Sequence, residues 1–152
     1  MNSRTQVITI PGPVGLIQLS IDLPDELKQN PDFDLRGLAL IAHPHPLLGG
    51  TMDNKVVQTL ARTFNQLGYL SVRPNFRGVG LSEGSHDEGR GELEDLVYLS
   101  DWMRTPQSWI EYLSNSSEQT WITKTNQLPL ALAGFSFGSY VGTHLTHQLA
   151  EL

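Results

Sequence analysis

The sequence contains no cysteine among its 152 residues. This absence excludes disulfides, thiolate nucleophiles and cysteine-ligated metal sites. Basic residues are also few: 10 Lys and Arg against 16 Asp and Glu give a formal net charge of -6, which argues against a nucleic-acid partner. No apolar run approaches the ~20 residues that a helix needs to cross a bilayer, and residues 1–6 lack the apolar core of a signal peptide. We therefore expect a cytoplasmic protein with no membrane partner.

Apolar runs alternate with helical patterns along the chain, whose length suits one domain. An antiparallel hairpin at a sheet edge is predicted for residues 7–10 and 14–23, and a loop for 24–36. Strands are predicted at 37–42, 69–73 and 128–133, helices at 54–67 and 91–103 and from 140 onward, and a helical or irregular stretch at 105–127. This order predicts an α/β fold with a mostly parallel sheet, helices on both faces and an N-terminal antiparallel hairpin.

A serine stands between the last strand and the last helix, in the pattern Gly134-Phe135-Ser136-Phe137-Gly138. Glycines on either side allow the strand and the helix to approach closely around a strained turn. Such a turn exposes the serine hydroxyl and is typical of a catalytic nucleophile. The N–H of Phe137, at the start of the helix, is positioned to stabilise a developing oxyanion. The alternative is a chance match in a glycine-rich loop.

A second loop, at residues 43–55, begins His43-Pro44-His45-Pro46-Leu47 and continues with two glycines. Prolines and glycines predict irregular structure here. If a second oxyanion donor lies in this loop, it cannot be either proline, because proline has no N–H. His45 and Leu47 are the remaining candidates.

Three segments together resemble the α/β-hydrolase fold proteins, and most closely a bacterial group of small predicted serine hydrolases. They are HPHPLLGGTMDNK at 43–55, RPNFRGVGLSEG at 73–84 and GFSFG at 134–138. The resemblance implies that Ser136 is the nucleophile of an esterase-like enzyme that forms an acyl-enzyme on a small-molecule substrate without a cofactor. It also implies that Phe137 supplies one oxyanion amide, and its match to the His-Gly-x pattern of the fold favours His45 narrowly over Leu47 as the other.

The other ionisable residues have alternative interpretations. His43 and His45 are expected to shape their loop rather than bind a metal, since no third ligand stands near them at suitable spacing. His43 and Arg77 are candidates for substrate contact, although Arg77 is more typical of a residue that anchors its loop. His86 is interpreted as a solvated loop residue that could line a pocket, and Glu92 and Asp95 as helix-capping carboxylates.

A serine nucleophile also needs a base and an acid that orients the base. In this fold both follow the serine in the chain, but the chain ends at Leu152. We therefore expect residues 1–152 to be the N-terminal part of one α/β-hydrolase domain, truncated after the nucleophile helix and of little activity alone. The alternative is a natural non-catalytic module that binds a small ligand or another protein. In either case the strand at 128–133 would expose an apolar edge that favours self-association.

Overall fold

A computed structural model describes residues 5–113, 116 and 119–151. One sheet of five strands has the order β1-β2-β4-β3-β5. The strands are β1 Thr5–Gly12, β2 Gly15–Asp22, β3 Gly37–Ala42, β4 Tyr69–Pro74 and β5 Leu130–Gly134. The hairpin of β1 and β2 is antiparallel and joins β4 in antiparallel register, whereas β3 is parallel to β4 and to β5. The predicted edge hairpin and the parallel strands beside it are confirmed, in a mixed sheet with two parallel and two antiparallel strand pairs.

The sheet is covered by helices on both faces, as predicted. The helices are α1 Glu26–Gln29, α2 Lys55–Gln66, α3 Arg90–Met103, α4 Pro106–Tyr112 and α5 Phe137–Ala150. Residues of α2 pack on Ala39 and Ile41 on one face. Leu38 and Leu40 point to the other face, where α3, α4 and α5 form the larger core. Every residue of β3 is buried, because that strand lies between β4 and β5 with a helical layer on each side.

The observed secondary structure differs from the sequence-based prediction in a few short helical segments. The predicted loop at 24–36 contains α1, and the loop after β3 contains a 3₁₀ turn at Pro46–Leu48. The stretch at 105–127 contains α4 and a 3₁₀ helix at Thr120–Lys124, although residues 114–115 and 117–118 lie outside the described part. Trp109 and Trp121 of this stretch are buried against each other. Their burial explains why a polar sequence packs on the core.

A bilayer crossing requires a helix of about 20 predominantly apolar residues. None of the described helices is long and apolar enough to span a membrane.

Candidate active site

Ser136 occupies the turn between β5 and α5 in a sparsely populated backbone conformation. Its φ is 55° and its ψ is -118°, and its side chain is exposed. A positive φ is uncommon for a residue with a Cβ and persists only where the surroundings impose it. The predicted strained strand-to-helix turn is therefore confirmed as geometry.

The two glycines of the turn are required by close backbone contacts. A Cβ on Gly134 would lie 2.6 Å from the carbonyl carbon of Gly138, and a Cβ on Gly138 would lie 2.2 Å from the carbonyl oxygen of Ala42. The N–H of Phe135 also donates to the Ala42 carbonyl at 3.2 Å. The turn is therefore packed directly against the end of β3, which brings Ser136 and the loop after β3 to the same end of the sheet.

The N–H groups of His45 and Leu47, the two candidate oxyanion donors of the loop, differ in their hydrogen bonding. The N–H of Leu47 donates to Nδ1 of His45 at 3.2 Å. Among the described residues, none accepts a hydrogen bond from the N–H of His45 or of Phe137. The rings of His45 and Phe137 pack together with centroids 4.8 Å apart. Two unengaged N–H groups thus belong to residues whose rings are in contact, one in the loop and one in the turn.

His43 is fully buried at the end of β3 rather than exposed toward a substrate. Its Nε2 accepts a hydrogen bond from the Phe76 N–H at 3.0 Å, and its Nδ1 lies 2.7 Å from the Pro44 carbonyl oxygen. These partners select the neutral tautomer with the proton on Nδ1. Burial lowers the pKa of His43, against a smaller opposing effect of the Pro44 hydrogen bond. His43 therefore ties the loops after β3 and β4 together, as expected for a loop-shaping residue.

Arg77 is also buried, in the loop after β4. Its Nε and Nη2 donate to the two carboxylate oxygens of Asp95 at 3.0 and 2.8 Å. Burial raises the pKa of Asp95, partly offset by the hydrogen bonds from Arg77. Gly91 makes this possible, because a Cβ there would lie 2.2 Å from the guanidinium. Arg77 thus anchors its loop to α3, and the interpretation of Asp95 as a helix cap is wrong: its carboxylate is held by Arg77.

Glu92 does act as a cap, and its carboxylate lies beside His86, which the sequence predicted to be a solvated loop residue. Its Oε1 accepts from the Gly89 N–H at 2.9 Å and its Oε2 from the Asp87 N–H at 3.0 Å. The same Oε2 lies 3.3 Å from Nδ1 of His86. The His86 ring packs on the rings of His45 and Phe137, with centroids 5.0 and 5.6 Å away. No spacing rule joins His86 to Phe137, so only the fold reveals that their rings pack together.

Two cavities of the described residues do not have Ser136 in their walls. A cleft of about 490 Å³ lies between β2 and α2, with the buried Arg73 in its wall. Arg73 is held there by Asp22 at 3.0 Å and Ser20 at 2.9 Å. A smaller groove of about 240 Å³ lies between β5 and the small residues of α5. Ser136 lines neither of them and is open to solvent at the end of the sheet.

Solved structures and a curated protein resemble this chain. An α/β serine hydrolase homologue from Coxiella burnetii is 37% identical with a TM-score of 0.75, over 94% of this chain and 57% of that one. An α/β serine hydrolase without a lid from Xanthomonas campestris is 35% identical with a TM-score of 0.74, over 99% of this chain and 59% of that one. An uncharacterized protein of Rickettsia prowazekii is 35% identical over 115 residues, which are 76% of this chain and 41% of that protein. No family model matches the chain.

These similarities establish that the chain has the α/β-hydrolase fold, as predicted from its sequence. The chain spans between two fifths and three fifths of the length of these relatives. The five-stranded sheet of this chain is the part of the fold that it shares with these relatives. The strained turn at Ser136 lies near the end of the chain.

Proposed function

We propose that the whole protein is a serine hydrolase that cleaves an ester or a similar acyl bond through an acyl-enzyme on Ser136. The observation that supports this most directly is the exposed Ser136 at φ 55° on the turn between β5 and α5. A strained backbone at this residue holds a hydroxyl clear of its neighbours, which is what attack on a carbonyl carbon requires.

In the proposed reaction, Oγ of Ser136 attacks the carbonyl carbon of the substrate and the carbonyl oxygen becomes negatively charged. The N–H groups of Phe137 and His45 are the proposed donors to this oxyanion. Fixed N–H groups stabilise the charge at no reorganisation cost, and the loss of one such donor typically slows a reaction by about 100- to 1000-fold. Collapse of the intermediate expels the alcohol, and water then releases the acid from Ser136.

The α/β-hydrolase fold places its triad acid and histidine after the nucleophile, and this chain spans 57% and 59% of the two serine hydrolase homologues. We therefore propose that the 152-residue chain is a weaker catalyst than a protein that also contains them. Nucleophile, oxyanion donors and substrate binding without these partners still leave a residual rate above that of water.

The test is hydrolysis of p-nitrophenyl acetate by the chain and by its Ser136→Ala variant. We expect the variant to lose the enzymatic rate and to match the reaction in buffer, because the nucleophile is gone. A variant that retains the rate of the parent would refute the proposed function. Binding of the ester without any Ser136-dependent turnover would favour the alternative, a non-catalytic module that binds a small ligand.

A further inference from the structure

His86, Glu92 and the turn at Ser136 together contain the chemical groups of a complete proton-transfer system. Glu92 is fully buried at the start of α3. Its carboxylate is fixed by the N–H groups of Asp87 and Gly89 and lies 3.3 Å from Nδ1 of His86. A fixed carboxylate beside one imidazole nitrogen selects the tautomer in which that nitrogen bears the proton. The other nitrogen then has a free lone pair.

The accessible nitrogen of His86 is Nε2, which does not face the Glu92 carboxylate. The side chain is 15% exposed, and its Nδ1 is buried without an aligned hydrogen bond. Nε2 has no hydrogen-bond partner among the described residues, yet it does not count among their buried unpaired atoms. Nε2 is therefore partly accessible, in a ring that packs on the residue after Ser136.

The position of the ring relative to the turn is set by two aromatic contacts. The His86 ring packs on Phe137, the residue after Ser136, and on His45 of the loop after β3. These are the residues whose N–H groups are the proposed oxyanion donors. Glu88 and Gly89, just before α3, both have positive φ, so the chain turns sharply where it directs His86 back toward α5.

We propose that His86, oriented by Glu92, is the proton acceptor of Ser136 in this chain. This inference rests on the proposed hydrolase function and adds its base. The Ser136 proton passes to Nε2 of His86 as Oγ bonds to the carbonyl carbon. The same proton then passes to the leaving alkoxide when the ester C–O bond breaks. In the second half, His86 takes a proton from water as its oxygen attacks the acyl carbon, and returns that proton to Oγ when the acid leaves.

Such a pair would work in the opposite chain order from the fold's usual arrangement, because both His86 and Glu92 precede Ser136. The residual activity of the 152-residue chain would then run through His86. A general base of this kind contributes about 100- to 10,000-fold to a rate. Glu92 would be a positioning residue, since it acts through the imidazole and not on the substrate.

The experiment measures the rate at which a fluorophosphonate probe labels Ser136, together with p-nitrophenyl acetate hydrolysis, in the full 152-residue chain. We expect His86→Ala to lower both rates by at least about 100-fold. Added imidazole should restore part of both rates, because it can enter the space that the ring vacated. The matched control is His147→Ala, which removes an exposed histidine from the last turn of α5 and should leave both rates unchanged.

Glu92→Gln tests the positioning role. We expect kcat to fall at least about tenfold with an unchanged KM, because the amide no longer fixes the basic tautomer. Unchanged rates in His86→Ala, a loss that imidazole does not restore in a folded variant, or a parent chain that does not label would each overturn the role of His86. Ser136-dependent hydrolysis is judged separately, by comparing the hydrolysis rates of the parent and of Ser136→Ala: it fails if the variant retains the parent's rate or if the parent shows no turnover.

Discussion

Gly138 and Gly142 stand four residues apart on α5, and their surroundings differ completely. A Cβ at Gly138 would meet the carbonyl oxygen of Ala42 at 2.2 Å, whereas a Cβ at Gly142 would meet nothing within 4 Å. The first glycine lets the helix touch the end of β3, and the second leaves a helix position without a packing partner. The same substitution should therefore have opposite effects at the two positions.

We expect Gly138→Ala to destabilise the chain by about 1–3 kcal/mol, since backbone atoms must move to admit the methyl group. Gly142→Ala is the matched control and should stabilise it by about 0.5–1 kcal/mol, because alanine loses less conformational entropy in a helix. Urea unfolding followed by circular dichroism measures both changes. Equal destabilisation by the two variants would contradict the close contact at Gly138.

His43 provides a pH dependence of stability whose sign follows from its burial. Its pKa is lowered in the folded state from the ordinary value of 6.5. Below pH 6.5 the unfolded chain therefore takes up a proton that the folded chain does not, so the stabilising contribution is present above 6.5 and is lost as the pH falls toward the folded pKa.

The measurement is the free energy of unfolding in urea at pH 7.5 and at pH 5 for the parent and for His43→Gln. Gln can still accept the hydrogen bond from the Phe76 N–H but does not titrate. We expect the parent to lose more stability between the two pH values than the variant loses. The same loss in both proteins would show that His43 titrates normally in the fold.

At the scale of elements, β5 is one of the two edge strands of the sheet and lies opposite the β1 edge. Within the described residues it pairs with β3 alone. A groove lined by Leu132, Ala133 and the small residues of α5 lies beside it. An exposed edge with free backbone groups is a template for pairing with a strand of another chain.

We therefore expect the 152-residue chain to self-associate through β5. Sedimentation at increasing concentration should give a mass above 16.9 kDa, and Ala133→Lys should shift the chain toward the monomer, because a charge beside the edge opposes pairing. Gln66→Lys, which adds the same charge to an exposed position at the end of α2, is the control. A chain that is monomeric at every concentration would rule out this association.

The strands and the turn were predictable because their signals are local. The apolar run at 37–42 is β3 within its predicted bounds, and α3 begins one residue before its prediction. The positive φ of Ser136 also followed from a five-residue pattern. Short elements such as α1 have too few residues for a periodic signal, and their stability comes from packing of residues such as Leu27.

At the scale of the whole molecule, the contacts that could not be predicted from the sequence are those between distant segments. Arg77 with Asp95 and His86 with Glu92 bring loop and helix residues together in ways that no spacing rule encodes. The approach of His86 to Phe137 joins residues about fifty positions apart and depends on the parallel order of β4, β3 and β5. Resemblance predicted Ser136 and its neighbours, whereas the packing of His86 on Phe137 became visible only in the fold.

The strand order also determines when each strand can pair with its neighbours while the chain emerges from a ribosome. The hairpin of β1 and β2 pairs with β4 rather than with β3, and β3 acquires its second neighbour only when β5 appears, about ninety residues later. At roughly 5–20 residues per second, that delay lasts about 5–20 s. During it, a strand that is buried along its whole length in the finished sheet has one edge open to any other nascent strand.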